Sequence, residues 1–276
     1  MPVSVTHDGL RLAALDWGGA GPPLVLLHPN GFCAGLFDPL ARRLRDSYRV
    51  VGVDLRGHGG SDPPGSIEQC GYRDVAGDTL AVLDALGLDD VYVVGESLGG
   101  SAAILLDALR PGIVRHMLLC EAIAFPELGQ GRGNARADGA RRRRVVWPDR
   151  ATVLESYASR PPLAVMEREA LEGYVRHGFR DRADGQVELA CPPEVEAWFF
   201  EGGPGGDGPQ VSFAHLASLH AGATVVRGAD TNLPALFLEA QAAAVGGDVL
   251  VVTGSHFFLQ ESAERAEHLI RTHLPA

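Results

Sequence analysis

The chain has 276 residues, 46% of them hydrophobic and 21% charged, with 35 Gly and 18 Pro. That is the usage of a globular protein, it excludes a disordered or collagen-like chain, and the length suffices for a large core without covalent staples. With 24 basic against 35 acidic residues the net charge is −11, which repels phosphate backbones, so nucleic acid is not an expected partner.

Every basic residue is Arg. This removes Schiff-base chemistry and the lysine of a phosphate-binding P-loop. The N-terminal Met-Pro-Val-Ser-Val-Thr-His-Asp-Gly carries neither a basic n-region nor an apolar h-region, and no run approaches the ~20 apolar residues of a membrane span. A cytoplasmic protein without a membrane partner is the expectation. Cys33, Cys70, Cys120 and Cys191 form no C-x-x-C pair and no zinc-ligand spacing with His, so buried thiols and no metal are expected.

In chain order, Ser4 to Ala14 reads as an antiparallel hairpin around His7-Asp8-Gly9. The apolar run Pro23 to His28 then reads as a strand buried on both faces. A helix follows over Leu36 to Leu44, a strand over Arg49 to Leu55 and a helix over Tyr72 to Leu86. Val91 to Gly95 is a strand, Leu98 to Leu109 a helix stopped by Pro111, and Val114 to Cys120 a strand. This alternation predicts a mostly parallel α/β sheet with helices on both faces. The rhythm breaks over 123–212, a stretch too long for a structureless loop. It reads as a mostly helical insertion, with helical stretches around Val153 to Tyr157 and Leu163 to Val175 and glycine-rich segments at Gly129 to Gly133 and 202–209. Strands return at Ala223 to Val226 and Asp248 to Thr253. The core is therefore 1–122 with 213–276, and 123–212 is a cap or lid.

The chemistry centres on Val93-Val94-Gly95-Glu96-Ser97-Leu98-Gly99-Gly100, a G-x-S-x-G at a strand end opening a helix. A serine on such a turn crowds the residues two away, so Gly95 and Gly99 must be small. The turn also aims the Leu98 N–H and the helix N-terminus at a developing oxyanion. A serine hydroxyl needs a base. His256, in Thr253-Gly254-Ser255-His256-Phe257-Phe258, follows a strand and so reaches the same sheet edge. The base needs an orienting carboxylate. Asp230, which ends another strand, is the expected one, with Glu121 at the end of Val114 to Cys120 as competitor. The loop His28-Pro29-Asn30-Gly31-Phe32 supplies a second oxyanion donor. Pro29 has no N–H, so Asn30 is the expected donor.

These motifs resemble those of the α/β-hydrolase-fold superfamily, over nearly the whole chain outside 123–212. Gly95-Glu96-Ser97-Leu98-Gly99 matches its nucleophile elbow and Gly254-Ser255-His256-Phe257 its histidine loop. Asp54-Leu55-Arg56-Gly57-His58-Gly59-Gly60-Ser61-Asp62 matches a turn that shapes the core. Asp230 followed by Pro234 matches the acid loop. Two departures stand out: His28-Pro29 replaces the usual His-Gly, and Gly228 precedes Asp230 by two residues where three is usual. The resemblance implies an eight-stranded mostly parallel sheet with an inserted helical cap, no cofactor, and a small-molecule substrate pocket between core and cap. A serine at 97, rather than a carboxylate, implies acyl transfer to water, hydrolysis of an ester or lactone of a small apolar substrate. Carbon–carbon bond or thioester hydrolysis is the sibling alternative, and a non-hydrolytic binder on the same fold the alternative of another class. Trp147, Tyr157, Met166, Tyr174 and Trp198 are the candidate substrate contacts, unless they are the cap's own core. Arg141 to Arg144 is an anion-recognition candidate or a solvated helix face. The sequence leaves the oligomeric state open.

Overall fold

The computed structural model describes residues 2–126, 134–202 and 207–276. β1 (Pro2–His7) and β2 (Leu10–Gly18) form the expected hairpin. Asp8 and Gly9 at its tip have φ of 47° and 77°, the pair of positive values whose twist suits a two-residue hairpin turn. Strands and helices then alternate: β3 (Pro23–Leu27), α1 (Asp38–Leu44), β4 (Arg49–Asp54), α2 (Tyr72–Leu86), β5 (Val91–Glu96), α3 (Leu98–Leu109) and β6 (Val114–Cys120).

Between β6 and the next strand of the same sheet lie α4 (Ala135–Arg141), β7 (Val146–Trp147), α5 (Arg150–Ala158), α6 (Arg168–His177), β8 (Phe179–Asp181), β9 (Val187–Leu189), α7 (Pro193–Glu201) and α8 (Pro209–His215). The helices near Val153 and Leu163 appear as α5 and α6. A small antiparallel sheet in the order β7-β9-β8 was not anticipated, because strands of two and three residues carry no readable alternation. α8 packs against α2 and α3, and its Ser212 is fully buried, so the chain has rejoined the helical layer of the core before 213. The stretch Gly129 to Gly133 and residues 203–206 of the second glycine-rich segment lie outside the described residues. The chain ends with β10 (Gly222–Gly228), α9 (Ala235–Ala244), β11 (Val249–Val252), α10 (Phe258–Glu261) and α11 (Ala263–His273).

The eight-stranded sheet has the order β1-β2-β4-β3-β5-β6-β10-β11. The pairs involving β1 and β2 are antiparallel, and all pairs from β4 to β11 are parallel. The central strands β3 and β5 are buried almost throughout, as crossover helices on both faces require. One apolar cluster joins Val25, Val93, Met117 and Leu119 to Val75, Ile104 and Leu105. The other joins Leu24, Val94 and Leu118 to Leu40, Leu44, Leu269 and Ile270. Glu96 of β5 stands opposite Cys120 of β6, and Val226 of β10 opposite the same Cys120. The carboxyl ends of the three strands are thus level, and whatever follows each is delivered to one edge. No helix among the described residues is long and apolar enough to cross a membrane.

The turn after β4 is a scaffold, held by a buried ion pair. Arg56 donates through Nε to Asp78 Oδ2 at 2.6 Å, through Nη2 to Asp78 Oδ1 at 2.8 Å, and through Nη1 to Gln69 O at 2.7 Å. Both side chains are buried. Removing one member leaves the other charged without compensation. Asp78→Asn is expected to cost about 3 kcal/mol or more in urea unfolding; a loss below about 1 kcal/mol would show that the pair contributes little.

Candidate active site

Ser97 sits between β5 and α3 with φ 55° and ψ −116°, a strained conformation for a residue with a Cβ. The neighbouring glycines make it possible. A Cβ on Gly95 would lie 2.5 Å from Gly99 O, and one on Gly99 2.2 Å from Leu27 O. The backbone stitches the turn to the next strands: Ser97 N donates to Cys120 O at 3.0 Å, and Ile123 N to Ser97 O at 3.1 Å. The Ser97 side chain is 8% exposed. Among the described residues its hydroxyl has no hydrogen-bond partner.

His256 lies on the loop after β11, as expected, and its ring is partly exposed. Its partner corrects the expectation. His256 Nδ1 is 2.6 Å from Glu121 Oε2, whereas Asp230 is exposed and its carboxylate makes no hydrogen bond or ion pair among the described residues. Glu121 is fully buried and bent into the left-handed region, φ 50°. Its Oε1 accepts from Gly228 N at 2.8 Å, and its Oε2 accepts from Thr231 Oγ1 at 2.7 Å as well as facing His256. Thr231 stands three residues after Gly228, the spacing the superfamily usually gives its acid. Here a hydroxyl holds that place and the carboxylate arrives from β6. The unusual Gly228–Asp230 spacing was the signal in the sequence. With Nδ1 facing a carboxylate, Nδ1 carries the proton and Nε2 is left to accept one.

The loop after β3 places Asn30 with its backbone N–H unbonded to any described residue, and the same holds for the N–H of Leu98 at the start of α3. The Asn30 side chain is committed elsewhere: its Nδ2 donates to Glu196 O at 2.9 Å. Gly31 is clamped from both sides. Its N–H donates to His58 Nε2 at 2.9 Å. Its carbonyl accepts from Tyr174 Oη at 2.9 Å and from Arg143 Nη1 at 3.1 Å. Arg143 is held in turn by Glu196 and by the hydroxyls of Tyr174 and Tyr157, at 2.7 and 3.3 Å from Nη2. Gly31 has φ 82°, and a Cβ there would lie 2.7 Å from Glu196 Oε1, so only glycine fits beneath this ion pair. Burial lowers the His58 pKa to about 4. The ring therefore stays neutral near pH 7, with Nδ1 donating to Arg56 O and Nε2 accepting.

The five expected substrate contacts do not form one lining. Met166 and Tyr174 are buried in a cluster with Trp147, Cys33, Leu36 and Phe257, with Tyr157 and Phe32 packed against it. Trp198 packs instead against the sheet's own core. Tyr174 reaches the site as the hydroxyl on Gly31 O, a role that apolar periodicity could not reveal. The arginine run also divides. Arg141 pairs with Glu194 and Glu201, and Arg143 with Glu196. Among the described residues no group of three or more His, Cys, Asp or Glu is arranged to hold a metal ion.

Comparison with known proteins follows this geometry. Residues 22–152 match the family described as alpha/beta hydrolase fold. Over 274 residues, 97% of the chain, the sequence is 28% identical to the dihydrolipoyllysine-residue acetyltransferase component of the acetoin cleaving system of Cupriavidus necator, covering 67% of that protein. Over 111 residues, 40% of the chain, it is 32% identical to 2-(acetamidomethylene)succinate hydrolase of Mesorhizobium japonicum, covering 38% of it. The fold is similar to the crystal structure of E-2-(acetamidomethylene)succinate hydrolase, with a TM-score of 0.81 at 21% identity, over 100% of this chain and 99% of that one. Beyond the first of these, the chain spans less than half the length of the curated relatives it matches.

Glu96, one residue before Ser97, is buried, and this raises its pKa to about 8, against the pull of the Gln260 amide and with help from the Glu121 charge. Gln260 Nε2 donates to Glu96 Oε2 at 2.7 Å. Among the described residues Glu96 Oε1 and Gln260 Oε1 are buried without a partner, and burial keeps a proton on Glu96 at neutral pH. A folded pKa above the ordinary 4.5 means the contribution is whole below pH 4.5 and is lost as pH rises through about 8. Melts of the wild type and Glu96→Gln between pH 4.5 and 9 are therefore expected to shift in the variant's favour as pH rises to about 8, then run parallel. A difference independent of pH would contradict this assignment.

Proposed function

We propose that this chain, which has the α/β-hydrolase fold, is a serine hydrolase cleaving a carboxylic ester or lactone of a small molecule through an acyl-enzyme on Ser97. The observation that carries the reading is the His256–Glu121 contact at 2.6 Å, set at the edge where β5 delivers Ser97. In this reading, His256 Nε2 takes the Ser97 proton as Oγ attacks the acyl carbon. The buried Glu121 fixes the tautomer and stabilises the imidazolium that forms. The oxyanion is received by the N–H groups of Asn30 and Leu98. His256 then returns the proton to the leaving alcohol, and water, activated by the same nitrogen, releases the acid. Ser97 and His256 need not be hydrogen-bonded before substrate arrives, because such contacts often tighten only in the complex. The elements from α4 to α7 act as the cap, fastened to the oxyanion loop through Arg143 and Tyr174.

The test is turnover of short-chain aryl esters. Ser97→Ala is expected to lower kcat by about 10³-fold or more, and Glu121→Gln by about 10²- to 10⁴-fold. Asp230→Asn should leave kcat at the wild-type value. Full activity in Ser97→Ala would refute the acyl-enzyme; loss in Asp230→Asn with activity kept in Glu121→Gln would refute the acid.

A further inference from the structure

A cavity of about 530 Å³ opens in the cap, bordered by Arg143, Arg144, Arg160, Trp147, Tyr157 and Ser156 among others, with no Asp or Glu in its lining. In a chain of net charge −11 such a lining is the opposite of the average surface. Most arginines of this protein that approach a carboxylate pair with it, as Arg141 does twice. Arg144 and Arg160 have no ion pair among the described residues. Arg144 lies over the Trp147 ring, 4.4 Å from its centroid, with Nε donating to Val146 O at 2.8 Å. That contact orients the guanidinium while leaving its terminal nitrogens without a bond to any described residue. Arg143 is paired with Glu196, so the charges left without a carboxylate in the lining are the exposed Arg144 and Arg160, beside two aromatic rings. A guanidinium fixed by stacking is suited to meet a planar or tetrahedral oxyanion with parallel N–H donors.

The cavity is tied to the catalytic edge by one side chain. Arg143 borders it and also donates to Gly31 O, in the loop that carries the Asn30 N–H. We propose that this cavity binds the anionic end of the substrate, a carboxylate or a phosphate, held by Arg144 and Arg160 while the acyl carbon lies at Ser97. This rests on the serine-hydrolase reading and narrows it, because the expected small apolar substrate becomes one with an apolar body and a charged end.

Two measurements separate the site from the reading beneath it. The first uses Ser97→Ala, which needs no turnover. Calorimetric titration with succinate and with inorganic phosphate is expected to show saturable binding of at least one. Arg144→Gln/Arg160→Gln should weaken it about tenfold or more, and Arg160→Lys should largely retain it. The stronger of the two titrants identifies which anion the site favours. No saturable binding, or equal binding in the double variant with an unchanged melting temperature, would overturn the site. The second compares aryl esters of one dicarboxylic acid, with the far carboxyl free or methylated. The wild type is expected to prefer the free carboxylate about tenfold or more in kcat/KM, and this ratio should collapse towards one in the double variant. Turnover of both without preference would overturn the carboxylate as the substrate's anchor. Turnover of neither would count against the hydrolase reading, and the titration would still decide the site.

Discussion

A carboxylate with no exposure must find a partner for each oxygen, and the active-site edge is organised around how Glu121 does so. One oxygen takes the Gly228 N–H; the other takes the Thr231 hydroxyl and faces His256. These groups come from three segments: the residue after β6 is the acid, Gly228 at the end of β10 and Thr231 in the turn after it are the donors, and the loop after β11 brings the ring. Their meeting depends on parallel strands whose carboxyl ends are level, so that residues distant in sequence fall side by side. Ser97 joins them because its own backbone is bonded to Cys120, the residue before Glu121. A carboxylate fixed on both oxygens cannot swing away, and the ring it orients keeps one nitrogen for proton transfer.

The same economy links the 123–212 insertion to the loop after β3. Gly31 is held at its N–H by His58 and at its carbonyl by Tyr174 and Arg143. A loop held at both the N–H and the carbonyl of Gly31 fixes the neighbouring Asn30 N–H, and preorganised donors are what the proposed oxyanion role requires. One arginine of this insertion, Arg143, touches the loop and also borders the cavity lined by Arg144 and Arg160, so the proposed recognition and the geometry of the loop would share a side chain.

Much of this was legible in the sequence because its cause is local. Gly95 and Gly99 flank a serine for steric reasons that need no tertiary knowledge, and the apolar runs around them declared a parallel sheet. The place of His256 on the loop after β11 was legible from the strand before it. The carboxylate that faces it was harder. Asp230 is the right residue type at nearly the right place, and only the count from Gly228 argued against it; that count places Thr231 where the acid is usual, and Glu121 fills the gap from the neighbouring strand. Whether a carboxylate at a strand end points towards the histidine depends on a backbone bend, φ 50° at Glu121, that no composition or spacing encodes. The cap was the least legible part. Its strands are too short for periodicity, and its aromatic residues look alike in sequence whether they line a pocket, hold a loop as Tyr174 does, or pack on the core as Trp198 does.

The account stands on an activated hydroxyl at 97 drawing its reactivity from Glu121 through His256. The most direct measurement is the rate of labelling by a fluorophosphonate, with the modified residue located by mass spectrometry, in the wild type, Glu121→Gln and Asp230→Asn. The account predicts one adduct, on Ser97, formed about 100-fold more slowly in Glu121→Gln and at the wild-type rate in Asp230→Asn. Absence of an adduct on Ser97, or slowing by the Asp230 substitution alone, would contradict it.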